Sequence, residues 1–344
     1  TFMKKRFTLE DVAKLAGVGK VTASYVLNGR GDEFRIKKET QQRVVAAAKE
    51  LEYRPSAVAR SLVSKRANAI TVVFQYANYF KAGSSFVNEL MRGVCEACIE
   101  ADINLILHTR TCQSVEDEIH ALMDGRSDGV LVLRDVNDPL LQELLHRQFP
   151  AVLFFTRPSG LEIPFIDSDN FEGGSIATKY LLDLGHRKIG FVGGSEQSAA
   201  STDRFQGYKH ALKEGEPSQE PLKFEIRTPD EVGDSFVQWY REEKPSGLVC
   251  WSDDVAFACI EKLTAAGVSI PDELAIVGFD SSEACNRIVP TLTSVRQPIY
   301  EMAREAARLL IAKTQQRTYE YRSVFPLTLD VRGSTQTPQI SNLR

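Results

Sequence analysis

Three side chains near the start of the chain, Lys20, Val21 and Tyr25, carry groups that can contact DNA bases or phosphates. A lysine can donate hydrogen bonds to guanine O6 and N7, and a valine can contact a thymine methyl group. A tyrosine offers one hydroxyl to a base edge or a phosphate. We therefore predict direct DNA contact for all three, with exposure to solvent as the alternative for each.

The surrounding residues predict two short helices joined by a tight turn. Thr8 is a suitable N-cap, and Asp11 follows it at the spacing of a capping box. Glycines on both sides of Val18 break the helical pattern, because glycine tolerates the positive φ of a sharp reversal. A second helix is predicted over 20–28, with Val21, Val26 and Leu27 buried. This pattern is typical of a helix-turn-helix that places its second helix in a major groove, and a plain helical hairpin is the alternative.

Basic residues are concentrated around this stretch. Residues 1–66 contain 15 lysines and arginines against 7 acidic residues, whereas the remaining 278 residues contain 27 against 39. This split favours a polyanion-binding module attached to a body that does not bind polyanions. Within the module, hydroxyl, amide and backbone N–H groups are predicted to contact DNA phosphates. They belong to Thr8, Leu9, Thr22, Ser24 and Asn28.

The 344 residues are enough for two or three domains. A third helix is predicted over 38–51, packed through Thr40, Val44, Val45, Ala47, Ala48 and Leu51. From residue 69, strand patterns alternate with helical ones, which predicts an α/β body of two lobes, each with a doubly wound parallel sheet. The predicted strands are 70–74, 104–107, 129–133, 151–155, 188–192, 247–251 and 274–280, with extended segments at 293–297 and 323–331. A late helix over 299–313 indicates that the chain crosses back to the first lobe.

We predict the following boundaries. A helix-turn-helix headpiece spans 1–54, a hinge helix and linker 55–68, a bilobed body 69–332 and a loose tail 333–344. Lobe 1 comprises about 69–165 and 297–325, and lobe 2 about 166–296 and 326–332. No segment has membrane-spanning length and no apolar signal core is present, so we expect a cytoplasmic protein with no membrane partner.

Cofactor and metal chemistry find little support. Cys95 and Cys98 form a CxxC in a helical pattern without a second pair, so we predict reduced apolar residues rather than a metal or redox site. The glycines around Lys20 do not make a phosphate-binding loop, because Lys14 stands where the first glycine is required. Five scattered histidines lack metal-ligand spacing. The sequence therefore predicts no cofactor, no metal and no catalytic residues.

Polar side chains that follow the predicted strands are candidates for binding a small molecule, because open α/β sheets bind ligands at the carboxyl ends of their strands. These candidates are Gln75, Tyr76, Arg110, Arg157, Asp169, Asn170, Arg204, Ser252, Asp253, Asp280 and Gln297. Tyr76, Phe80, Phe86 and Trp251 are candidates for stacking on a sugar ring, with a role in the core as the alternative. Guanidinium and carboxylate groups suit vicinal hydroxyls, which favours a sugar or sugar derivative, with a nucleobase as the second class.

Five motifs, in order, resemble the lactose-repressor (LacI/GalR) family of transcriptional regulators over about residues 7–332. They are the helix-turn-helix at 8–28, a hinge-like segment at 53–62, and the stretches 203–208, 277–280 and 292–298. The resemblance implies a periplasmic-binding-protein-like body in which an effector between the lobes controls affinity for operator DNA. It gives Arg204 and Asp280 the strongest support as effector contacts.

The resemblance also implies that the hinge contacts DNA through Ser56, Ala59, Arg60 and Leu62. Two hinge helices would meet in the minor groove, where Leu62 would wedge into a base step. This implies a homodimer on a palindromic operator. Lys20, Val21 and Tyr25 occupy the positions that read bases in relatives, so the operator is not copied from them. Gly19, Ala23 and Ser252 depart from the usual serine, valine and asparagine of the family, and because of Ser252 the effector is not copied either. A sugar-binding receptor module without a DNA function is the alternative, and the direction of the effector's action stays open.

Overall fold

A computed structural model describes residues 7–53, 66–75, 85–158, 160–194 and 198–338. The chain divides into an N-terminal unit, Thr1–Ala67, and a C-terminal unit, Asn68–Arg344. The N-terminal unit contains α1 (Leu9–Ala16), α2 (Lys20–Leu27) and α3 (Lys38–Glu50). As predicted, the Thr8 hydroxyl accepts from the Asp11 N–H at 3.3 Å and the Thr8 N–H donates to the Asp11 carboxylate at 2.7 Å. Gly17 ends α1 in the left-handed conformation, with φ 64°.

The core of the N-terminal unit is small and consists mainly of valines and alanines. Its buried members are Val12, Ala13, Ala16, Ala23, Val26, Val44, Ala47 and Ala48. The predicted burial of Val21 and Val45 is wrong, because these side chains are 63% and 53% exposed. Ala23 lies two residues after Val21 and therefore on the opposite side of α2, where it takes the buried position. On α3, positions 44, 47, 48 and 51 share one face, which excludes 45.

The C-terminal unit contains two six-stranded sheets. The strands of lobe 1 are β1 (Ala69–Phe74), β2 (Asn104–His108), β3 (Val130–Leu133), β4 (Ala151–Phe154), β5 (Phe165–Ser168) and β11 (Val324–Phe325), in the order β11-β5-β4-β3-β1-β2. Those of lobe 2 are β6 (Ile189–Gly193), β7 (Leu222–Glu225), β8 (Gly247–Cys250), β9 (Ala275–Asp280), β10 (Thr293–Arg296) and β12 (Thr328–Asp330), in the order β12-β10-β9-β8-β6-β7. All neighbouring strands are parallel except β10 and β12. The predicted pair of doubly wound sheets is therefore confirmed.

Helices cover both faces of each sheet. In lobe 1 they are α4 (Ser85–Glu100), α5 (Val115–Leu122), α6 (Pro139–His146) and α11 (Ile299–Thr314). In lobe 2 they are α7 (Asn170–Asp183), α8 (Ala199–Gly215), α9 (Asp234–Glu243) and α10 (Asp253–Ala265). The late helix α11 packs beside α4 in the core of lobe 1, which confirms the predicted return of the chain. No helix in the described ranges is both long and apolar enough to cross a membrane.

Two predicted boundaries need correction. β5 joins the sheet of lobe 1, so the first boundary between lobes falls after Ser168 and not at 165. Residues 333–338 are not a loose tail, because Ser334 is fully buried in lobe 2. Its hydroxyl donates to the Ile276 carbonyl at 2.6 Å and accepts from the Thr293 N–H at 2.9 Å. The chain thus crosses between lobes three times: after β5, between β10 and α11, and between β11 and β12.

Candidate functional site

The N-terminal unit presents the predicted base-reading residues on α2. Lys20 and Val21 are exposed at the start of this helix, and Tyr25 is half-buried one turn later. Gly19 is the N-cap and supplies no side-chain hydrogen bond, so backbone N–H groups of the first turn remain available to an anion. A helix end of this kind suits a DNA phosphate.

The predicted phosphate contacts lie on the same unit. The Thr8 hydroxyl donates a hydrogen bond to the Asp11 carboxylate. Thr8 is the N-cap of α1, so the backbone N–H groups of the first turn, beginning at Leu9, lie directly after it. Asn28 donates to the Ser24 hydroxyl at 3.3 Å, which ties together two residues one turn apart on α2. Thr22 is half-buried, as is Leu9, which packs against the core of the unit. The predicted hinge contacts Ser56, Ala59, Arg60 and Leu62 lie outside the described residues.

A buried arginine organises the polar site of the C-terminal unit. Arg204, on α8, is 4% exposed, and its Nε donates to Asn170 Oδ1 at 2.8 Å. One terminal nitrogen donates to the Trp251 carbonyl at the end of β8. The guanidinium carbon lies 3.5 Å from the ring centroid of Phe279. Burial lowers the pKa of Arg204 to about 10, and Asp280 and Asp167 oppose that shift by charge.

The Asp280 carboxyl, an acidic partner of this arginine, lies next to two of the crossings between lobes. Asp280 ends β9, and burial raises the pKa of its carboxyl to about 8. Gln297, on the second crossing, donates to Asp280 at 2.6 Å and accepts from the Ser168 hydroxyl of the first crossing at 2.5 Å. The two crossings are therefore hydrogen-bonded side by side, directly next to the Asp280 carboxyl.

Lobe 1 contributes a second arginine to the same network. Arg157 follows β4 and donates to the Asp167 carboxylate at 2.9 Å and to the Ser168 carbonyl at 2.6 Å. Asp167 also accepts from Asn170 at 3.1 Å. Burial raises the pKa of Asp167, and the charge of Arg157 acts against that rise. A continuous polar chain thus runs from Arg157, through Asp167 and Asn170, to Arg204.

The structure brings only part of the predicted ligand site together. Residues that share the network are Arg157, Asn170, Arg204, Trp251, Asp280 and Gln297. Arg110 does not join it, because this exposed side chain pairs with Asp117 at 2.8 Å. Phe86 packs against the core of lobe 1 beside Phe155, with ring centroids 5.1 Å apart. Tyr76 lies outside the described residues.

Two further candidates, Ser252 and Asp253, make hydrogen bonds within lobe 2. Ser252 caps α10 by accepting from the Val255 N–H at 3.3 Å. Asp253 is 1% exposed and accepts from the Ser282 N–H at 2.8 Å and the Ser294 hydroxyl at 2.6 Å. Both of its carboxylate oxygens accept hydrogen bonds inside the lobe, and a ligand contact by Asp253 stays a prediction.

Sequence reasoning missed three residues of this site. Asp167 and Ser168 end β5, a strand whose polar half hid it from the apolar pattern. Phe279 stands inside a recognised strand, where its ring lies against the Arg204 guanidinium. A rule that selects residues after strands passes over it. In the described ranges, no three histidine, cysteine or acidic side chains lie together in a way that could hold a metal ion.

Comparisons with known proteins agree with this two-part architecture. A profile described as bacterial regulatory proteins, lacI family, matches residues 8–56, and one for a periplasmic binding protein-like domain matches 178–335. The HTH-type transcriptional repressor PurR of Vibrio vulnificus is 32% identical over 324 residues, 92% of this chain and 94% of that protein. The chain belongs to the lacI family. It is a DNA-binding transcriptional regulator with a helix-turn-helix headpiece.

Other members of the lacI family extend the likeness over nearly the whole chain. The HTH-type transcriptional regulator CelR of Thermobifida fusca is 33% identical over 342 residues, 96% of this chain and 99% of that protein. A solved CelR–cellobiose complex, 32% identical, superposes with a TM-score of 0.69 and covers 96% of this chain and all of that one. The lac repressor dimer bound to operator and the anti-inducer ONPF has a TM-score of 0.83 with the same coverage. At 22% identity, that match shows the fold alone.

Proposed function

We propose that this regulator binds a palindromic operator as a homodimer and that a small polyol effector, a sugar or sugar derivative, controls its operator affinity from between the lobes. The observation that carries the proposal is the pair of arginines, Arg157 and Arg204, joined across the first crossing. A fixed guanidinium can hydrogen-bond vicinal hydroxyls with two parallel donors. The CelR–cellobiose complex supports a sugar, because it is a family member of similar length in complex with one.

The crossings suggest how effector binding would be transmitted. A ligand that contacts Arg157 of lobe 1 and Asp280 of lobe 2 favours one relative orientation of the lobes. The hydrogen bond between Ser168 and Gln297 joins the first and second crossings, the segments about which the lobes would reorient. Operator affinity then changes by the effector's difference in affinity for the two orientations. We propose that the protein binds its ligand without catalysing a reaction, as expected of a transcriptional regulator. We also propose that it acts in the cytoplasm, where the operator DNA is.

A thermal-shift screen of monosaccharides, disaccharides and sugar phosphates tests the effector class. A ligand at 100 times its Kd adds about 2.7 kcal/mol to the free energy of unfolding, which raises the melting temperature. Arg157→Lys is expected to weaken the response. Arg147→Lys is the matched control, because both arginines are about one-third exposed at the side chain and paired with a carboxylate. A response to nucleobases alone, or equal responses of the two variants, contradicts the proposal.

Titration of DNA tests the reading surface. Lys20→Ala is expected to reduce the slope of log K against log salt by about 1 if this lysine neutralises one phosphate. A base contact by Lys20 instead relaxes discrimination at one operator position, by about 1–3 kcal/mol. Absence of binding to any duplex at low salt contradicts the DNA contacts proposed for α2.

A further inference from the structure

The loop between α2 and α3, residues 28–37, is held at both ends by specific contacts. At its start, the Arg30 N–H donates to the Tyr25 carbonyl at 2.8 Å. At its end, Gln41 of α3 donates to the Ile36 carbonyl at 2.8 Å and to Asp32 at 2.9 Å. Gly31 is buried against Gln41, and an added Cβ would lie 2.6 Å from that side chain. The loop therefore has a defined conformation of its own.

An exposed phenylalanine of this loop covers the tyrosine of α2. The rings of Tyr25 and Phe34 are stacked with centroids 3.7 Å apart and an angle of 4° between their planes. Phe34 is 41% exposed, so burial of its ring contributes little to the core. It stacks on Tyr25, the aromatic member of the three predicted base-reading side chains.

Arg30 adds a charged member to the stack. Its guanidinium carbon lies 4.8 Å from the Phe34 centroid and 5.5 Å from the Tyr25 centroid. Glu33 holds the guanidinium through two hydrogen bonds of 2.7 and 2.8 Å. Because Glu33 balances its charge, Arg30 is a poor phosphate anchor and a good cover for the two rings.

We propose that Phe34 and Arg30 are positioning residues that hold Tyr25 in the orientation with which it contacts the operator. This role rests on the proposed reading of DNA by α2. A side chain that is ordered only on binding lowers affinity by about two- to tenfold, and the stack orders Tyr25 beforehand. Discrimination at one operator position thus depends on a loop that need not touch that base.

The test uses the full-length protein and an operator selected from a random duplex pool. Affinity is measured for the operator, for each of its single-base variants and for an unrelated duplex. Phe34→Leu keeps apolar volume and removes the stack. It is expected to lower operator affinity about three- to tenfold. Affinity for the unrelated duplex and the salt slope should stay unchanged. Discrimination between bases should decrease at the same operator position at which Tyr25→Phe decreases it. Phe34→Tyr restores the stack and is expected to restore discrimination.

Phe7→Leu is the matched control. Phe7 is 43% exposed on the same unit, and it has no ring contact within the described residues. The double variant Arg30→Gln/Glu33→Gln leaves both rings in place and the net charge unchanged. It is expected to give a smaller loss of the same kind, so the proposal does not depend on how Phe34→Leu folds. Unchanged discrimination in Phe34→Leu, equal losses on both duplexes, or failure of Phe34→Tyr to rescue overturns the proposal. A wild-type protein that selects no operator overturns the proposed DNA reading, and this role with it.

Discussion

Replacing Asp280 by asparagine should make lobe 2 more stable, by an amount that grows with pH. Asn is close in shape to Asp and keeps an acceptor for the 2.6 Å hydrogen bond from Gln297. It also tolerates the positive φ of this position, 115°, better than most residues. Below its raised pKa the folded Asp280 carboxyl is neutral, so in that range the substitution removes a titratable proton and takes little charge from Arg204.

The size of the effect follows from the pKa of this carboxyl. Burial raises it from an ordinary value of 3.8 to about 8 in the folded protein. Between these values the folded state binds one proton more than the unfolded state, so wild-type stability falls as pH rises. The slope is about 1.4 kcal/mol per pH unit, which the variant lacks. From pH 5 to pH 7 the variant should gain about 2–3 kcal/mol on the wild type.

Urea unfolding followed by tryptophan fluorescence measures this difference. Trp239 and Trp251, the two tryptophans of the chain, both lie in lobe 2, so the signal reports that lobe. Asp234→Asn is the control of opposite sign, because a hydrogen bond from Lys262 lowers the pKa of Asp234. That variant should lose stability relative to the wild type as pH rises through the ordinary range of an aspartate. If wild type and Asp280→Asn stay parallel between pH 5 and 8, the carboxyl is already ionised and the reasoning fails.

Three further substitutions test contacts within lobe 2. Gly174→Ala places a Cβ 2.0 Å from the Arg204 carbonyl, so α7 and α8 must separate, at a cost of about 1–3 kcal/mol in urea unfolding. Ser334→Ala leaves the buried Thr293 N–H without its acceptor and should cost about 1–3 kcal/mol in the same assay. Gly194→Ala brings a Cβ within 3.1 Å of the Trp251 ring and should shift its emission and weaken effector binding. Normal stability in the first two variants, or unchanged emission in the third, contradicts these contacts.

The parts of the fold that sequence predicted well are those with a continuous apolar signal. Val130–Leu133 is buried throughout and was recognised as a strand. Two strands were missed for a common physical reason. Half of Phe165–Ser168 consists of the polar residues Asp167 and Ser168. Leu222–Glu225 is a half-buried edge strand with charged side chains. Apolar patterns find strands that bury apolar side chains, whereas the first of these strands buries polar ones and the second is only half-buried.

Site prediction had a different limit. Selecting polar residues after strands found Arg157 and Asp280, since parallel strands end at one edge of a sheet. The same rule cannot tell the direction in which a side chain points, so it also selected Arg110, which pairs with Asp117 on the surface and does not join the network. The stack of Phe34 on Tyr25 depends on the path of a loop over nine residues, which no local pattern contains.

The three crossings restrict how recombination between relatives can alter the C-terminal unit. Because the chain passes between lobes after β5, before α11 and between β11 and β12, neither lobe is a continuous segment. A single recombination between two relatives would therefore join strands of one core to helices of another, because α11 packs on strands that precede it by more than 130 residues. New binding specificities of the C-terminal unit are thus easier to reach by single substitutions than by exchange of a whole lobe.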